Sequence, residues 1–89
     1  MSLLDQAWEL APQVSVRPEP FGALLYHFGT RRLSVLKDRR LLTVVQGLGE
    51  ARTARDACAG AGVAPGELRA YEQALARLAE TDMLRERAG

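Results

Sequence analysis

Eighty-nine residues make one domain, long enough for a single modest core but near the size at which stability becomes marginal. An apolar fraction of 47% and a charged fraction of 26% are ordinary for a globular protein, and no apolar run approaches the ~20 residues a spanning helix needs, so neither disorder nor a membrane protein is indicated. The formal net charge of +1 is too small to announce nucleic acid or anionic lipid as a partner.

The chain begins Met1-Ser2-Leu3-Leu4-Asp5, with no basic region followed by an apolar stretch, so no secretory signal is read and a cytoplasmic location is the default. Its single cysteine, Cys58, cannot make an internal disulfide, which agrees with a reducing compartment. Residues 1–12 read as an N-terminal arm. Leu3, Leu4, Ala7, Trp8 and Leu10 have spacings compatible with a turn or two of helix before Pro12 breaks it, and Trp8 would pin the arm to the core. Residues 13–87 form the domain proper. Gln13 to Arg17 alternates so that Val14 and Val16 point one way, as in a half-buried strand, and Pro18 and Pro20 end it.

From Gly22 to Leu36, two apolar runs flank Gly29-Thr30, which predicts a β-hairpin with a two-residue II′ loop. Phe28 then faces Arg31, Tyr26 faces Leu33 and Leu24 faces Val35, and this side is expected to be the core face. The opposite side carries Leu25, His27, Arg32 and Ser34. A three-stranded antiparallel meander follows, with Arg32 to Leu36 on an open sheet edge.

After the strands the apolar period changes. Asp38 can cap a helix whose apolar positions are Leu41, Leu42, Val44, Val45 and Leu48, with Gly47 or Gly49 as a left-handed cap. Thr53 and Asp56 resemble a capping box opening a small helix that holds Ala54, Ala57 and Cys58, stopped by Gly60 and Gly62. Pro65-Gly66-Glu67 starts the longest helix, with Leu68, Tyr71, Leu75 and Leu78 as its buried stripe. Met83-Leu84-Arg85 forms a short closing extension. Three strands followed by three helices predict an α+β domain with the helices on one face of a small sheet, similar to a winged helix-turn-helix with its wing at the front.

Catalytic chemistry is poorly supplied. His27 is the sole histidine and Cys58 the sole cysteine, so no cluster with zinc-ligand spacing exists. Cys58 lies in an alanine-rich helix where a small thiol packs, and His27 reads as solvated or hydrogen-bonded rather than as a general base. Gly47-Leu48-Gly49 and Gly60-Ala61-Gly62 follow helices, where glycine marks a cap rather than a phosphate cradle. No enzyme activity is expected. A winged-helix DNA-binding regulator is the natural rival, but between Gly66 and Asp82 the acids Glu67, Glu72, Glu80 and Asp82 outnumber the bases Arg69 and Arg77, an unfavourable helix for phosphates. Basic residues gather instead around the edge strand, at Arg31, Arg32, Lys37, Arg39 and Arg40, relieved only by Asp38. One reading is a solvated edge whose charges prevent aggregation. Another is that an acidic, partly apolar peptide adds a strand there; both can hold at once.

Val14-Ser15-Val16-Arg17, Gly22-Ala23-Leu24-Leu25-Tyr26, Leu33-Ser34-Val35-Leu36 and Leu75-Ala76-Arg77-Leu78, in this order, resemble the PqqD-like family, the recognition elements of ribosomally made, modified peptides (RiPPs). The resemblance is to the family's mycofactocin branch, is most specific from Pro12 to Val45, and with the last helix covers nearly the whole chain. It implies a non-catalytic peptide chaperone: a precursor's leader peptide lies along the third strand against the last helix and is presented to a radical S-adenosylmethionine maturase. Iron–sulfur clusters and S-adenosylmethionine would belong to that partner, leaving this chain without a cofactor. By position, Arg32, Leu33, Ser34, Val35 and Leu36 would supply backbone pairing, and Tyr71, Ala74, Leu75 and Leu78 would line the groove. Arg31 and Arg32, with Arg69 or Arg77, would draw in an acidic leader. A maturase subunit that binds no peptide is the other rival, and an open edge strand is also a route to a dimer.

Overall fold

The N-terminal arm departs first from the expected helix. In the computed structural model, which describes residues 2–87, Leu3–Asp5 makes one 3-10 turn and Trp8–Leu10 is a strand (β1) paired antiparallel with Leu84–Glu86 near the other end of the chain. A helix this short recovers too few hydrogen bonds for the backbone it fixes. Pairing supplies them instead: Ala11 N–H donates to the Met83 carbonyl at 2.9 Å and Arg87 N–H to the Ala7 carbonyl at 3.0 Å. Trp8 is half-buried against the core, its indole N–H donating to the Leu3 carbonyl at 3.0 Å.

Val14–Glu19 (β2), Gly22–His27 (β3) and Leu33–Leu36 (β4) form the expected antiparallel meander in the order β2-β3-β4. Strand β2 continues through Pro18 instead of ending there. Phe28 N–H donates to the Gln13 carbonyl at 2.9 Å, which fixes Ser15/Tyr26 and Arg17/Leu24 as the hydrogen-bonded pairs; Pro18 faces Ala23 in a non-bonded pair, where a missing N–H costs no ladder bond.

The register of β3 with β4 is the expected one, with Tyr26 opposite Leu33 and Leu24 opposite Val35. Two hairpin expectations are corrected. The loop is not the two-residue Gly29-Thr30 turn: it spans residues 28–31, closed by Arg31 N–H on the His27 carbonyl at 2.7 Å, and the positive φ of 62° falls on Arg31 rather than Gly29. Buried His27 organises this longer turn, its Nδ1 accepting the Gly29 and Thr30 amides at 3.0 Å each. The core face is also the other one. Ala23, Leu25, His27 and Leu36 point inward, while Phe28, Leu33 and Val35 stand 64%, 59% and 48% exposed. Gly22 lets β3 and the end of β4 approach closely. At its φ of 153°, a Cβ would lie 2.0 Å from the Leu36 carbonyl oxygen.

Helix α1 (Arg39–Gly47) starts at Asp38, whose Oδ1 accepts the Arg40 amide at 2.8 Å, and buries Leu41, Val44 and Val45. It ends through right-handed Leu48, and neither Gly47 nor Gly49 takes the left-handed conformation expected of one of them. Helix α2 (Ala54–Gly60) is capped by the Thr53 hydroxyl, which accepts the Asp56 amide at 3.2 Å, and Gly62, at φ 83°, turns the chain out of it. A 3-10 turn over Pro65–Glu67 leads into α3 (Leu68–Glu80), which buries Tyr71, Leu75 and Leu78 and leaves Leu68 partly exposed. The closing extension is the strand Leu84–Glu86 (β5). Helix α1 packs on the inner face of β3 and β4, α2 packs on α1 and α3, and α3 packs on β5, all sharing one α+β core in which Leu25, Val44, Val45, Leu48, Cys58, Leu75 and Met83 are fully buried. No helix among the described residues is long and apolar enough to cross a membrane.

Candidate functional site

The two sheet edges differ. His27 N–H donates to the Arg32 carbonyl at 2.9 Å, so the bonded pairs between β3 and β4 are His27/Arg32, Leu25/Ser34 and Ala23/Leu36. The amides and carbonyls of Leu33 and Val35 therefore point away from β3, to the open edge. On β2 the Val14 amide is already bonded to the Ala11 carbonyl at 3.0 Å and Pro18 has none to offer. Among the described residues of the meander, β4 thus presents two successive outward amides, whereas β2 offers only that of Val16.

Beside that edge runs a groove of ≈ 400 Å³, walled by Ser34, Val35, Leu36 and Lys37 on one side and by Ala74, Arg77, Leu78 and Thr81 on the other, with Leu41 as floor. A second hollow of ≈ 230 Å³ continues it past Ala70 and Tyr71 to Asp38, sharing Lys37, Leu41 and Ala74. The α3 wall follows from helix geometry, since positions 70, 74, 77, 78 and 81 fall on one face. Alanine at 70 and 74 leaves the room between helix and strand.

The far end of the groove is polar and already satisfied. Tyr71 donates its hydroxyl to the Asp38 carboxylate, which also caps α1. That hydrogen bond, aided by the Arg40 amide and guanidinium, holds the Asp38 carboxyl below its ordinary value; burial, then the Asp38 bond, pushes the Tyr71 phenol up to about 12. Arg40 stacks over the Tyr71 ring at 5.7 Å and grips Glu67 with two bonds, at 3.0 and 2.5 Å, while Glu67 Oε1 accepts the Ala64 amide at 3.1 Å. The charge of Arg40 is thus matched. Among the described residues, Lys37 and Arg77 beside the groove, Arg31 and Arg32 at the turn, and Arg69 make no ion pair.

Of the residues singled out in sequence, Ser34, Val35, Leu36, Ala74, Arg77 and Leu78 come together around the main groove, and Tyr71 borders its continuation. Leu33, Arg31 and Arg32 lie at the turn end of the edge, outside the lining. Arg69 is exposed on α3 away from it, and Leu75 is fully buried in the core. Leu41, Ala70 and Thr81 were missed, and Lys37 and Asp38 were read as part of the charge cluster around the edge, not as lining. Ala70 and Thr81 lie four residues before and seven after Ala74, on the same helix face, and could have been found by that spacing; Leu41 could not, because its helical pattern reads only as core. Neither candidate for nucleophilic chemistry is equipped: Cys58 is buried with its thiol pushed up by desolvation, and His27 spends Nδ1 on its own turn.

The family model of the peptide chaperone MftB family matches residues 7–85. The chain belongs to that family. It is similar to the peptide chaperone MftB of Mycobacterium tuberculosis, 58% identical over 80 residues that make up 90% of this chain and 73% of the relative. Over the same share of both chains it is 55% identical to the Mycobacterium ulcerans protein of that name, and it is 52% identical to that of Mycolicibacterium smegmatis, covering 78% of the relative. No solved structure matches the chain significantly. The MftB family is named for peptide chaperoning and not for catalysis, in keeping with a PqqD-like recognition element.

Proposed function

We propose that this chain is a cytoplasmic carrier that binds the leader of a mycofactocin precursor peptide as a fourth strand on β4 and presents it to a radical S-adenosylmethionine maturase. The observation that carries this reading is the coincidence of outward amides at Leu33 and Val35 with an apolar groove along the same edge. Each added strand bond contributes on the order of 1 kcal/mol net, and ordering the peptide cancels much of it. Affinity therefore depends on a few apolar anchors lying over Ala74 and Leu78. Arg31, Arg32, Lys37 and Arg77 steer an acidic leader towards the edge, whereas Leu75 supports the groove only through the core.

The test is backbone-amide NMR of the labelled chain titrated with the precursor peptide. Shifts concentrated in residues 33–37 and 70–81 are expected. Ala74→Trp, which fills the groove from a half-buried position on its α3 wall, should weaken binding at least ~10-fold while the spectrum of the unbound protein stays folded. Absence of shifts at saturating peptide would overturn the reading.

A further inference from the structure

Leu33 and Val35 carry two features at once. Their amides point to the open edge, and their side chains stand on the outer face of the sheet, 59% and 48% exposed. There Leu33 sits opposite Tyr26 and Val35 opposite Leu24, and the Phe28 ring packs edge-on against Tyr26 with centroids 5.1 Å apart. The outer face thus holds two apolar rows, Tyr26–Leu33 and Leu24–Val35, which start beside Ser15 and Arg17 of β2, span β3 and β4, and stop at the open side. A strand hydrogen-bonded to Leu33 and Val35 must place the residues opposite them on this same outer face, because directly opposed residues share a side. The residue between, opposite Ser34, enters the groove.

From this geometry we infer that the peptide taken by this site is apolar on both faces of its paired segment, its outward residues extending the two rows while the intervening one fills the groove over Ala74 and Leu78. The inference rests on strand addition at β4 and specifies the peptide class. Amphipathic alternation, the rule for a strand with one wet face, would leave both rows ending at water. Charge bounds the segment. Arg31 and Arg32 stand at one end of the edge and Lys37 at the other, none in an ion pair among the described residues, whereas Arg17 on the same face is held by Glu19 at 2.8 Å. Acidic residues should therefore flank the apolar segment on both sides.

Calorimetry of the full chain with the precursor peptide tests this. The double variant Leu33→Thr/Val35→Thr places strand-favouring β-branched residues at two exposed positions, and it should bind about five- to tenfold more weakly, two cross-strand apolar contacts being lost. Serine at the peptide's outward positions should cost the same factor against the native chain and little further against the double variant. That peptide series needs no altered protein, so it decides the matter even if the variant folds poorly. Equal affinity of native and double variant, with Ala74→Trp still impaired, would overturn the inference and leave strand addition standing; no peptide binding by the native chain would remove both. Loss of maturase binding or of self-association in the double variant, with peptide affinity intact, would also overturn it and assign the outer face to that partner.

Discussion

Tyr71 joins two helices through one oxygen, since its hydroxyl bonds the carboxylate that caps α1. Tyr71→Phe should lower stability by about 1–2 kcal/mol at neutral pH, the lower part of the range for a hydrogen bond to a charged group because Asp38 is partly exposed. The pH dependence has a defined sign. Asp38 is held low in the folded chain, so its share is present above the ordinary carboxylate range, about pH 4, and is lost as pH falls through its lowered value. Tyr71 is held high, so its share is present below about pH 10 and is lost as pH rises through about 12. Urea unfolding of both proteins across pH should give a difference that is flat between these limits and shrinks on either side. Asp38 was legible in the sequence as a cap, because capping is local. Its bond to Tyr71, far along the chain, was not, since no periodicity reports a contact between helices.

Strand β4 shows the same division. Its pairing was legible to the residue, because a hairpin centred on Gly29-Thr30 keeps the same register when the loop opens by one residue on each side. Which face was buried was not legible: Leu24, Tyr26, Phe28, Leu33 and Val35 outweigh Ala23, Leu25, His27 and Leu36 in bulk, yet the smaller set packs on the helices. A surface that is apolar without being core defeats the assumption that bulk marks the interior. The turn was misread because His27, not glycine, sets its length. Proline substitutions separate the two sides of the strand. Val35→Pro removes an outward amide and should weaken peptide binding about tenfold with little change in stability, while Ser34→Pro breaks the ladder to Leu25 and should lower stability by roughly 1–3 kcal/mol. Thermal melts and calorimetry on both variants would show whether binding and folding part in this way.

Across the whole molecule, the two ends of the chain hold each other. β1 pairs with β5, the Gln6 carbonyl accepts the Ala54 amide at 3.0 Å, and the Arg87 guanidinium donates to the carbonyls of Gly49 at 2.5 Å, Ala51, and Arg52 at 3.3 Å. Two three-residue strands so far apart in sequence leave no pattern in either, so this small sheet was illegible although the helices and the meander were not. Arg87→Ala should lower stability by about 1–2 kcal/mol, read as a fall in Tm of roughly 5–10 °C, and should leave peptide affinity unchanged because the groove lies elsewhere.

The proline in β2 has a consequence for self-association. With Pro18 lacking an N–H and the Val14 amide already spent, the β2 edge offers a partner strand fewer donors than β4 does. Two chains meeting edge to edge through the meander would favour β4 on each, covering the outward amides of Leu33 and Val35. Self-association and cargo loading at that edge would then be mutually exclusive, and apparent affinity for the peptide would fall as the concentration of the chain is raised.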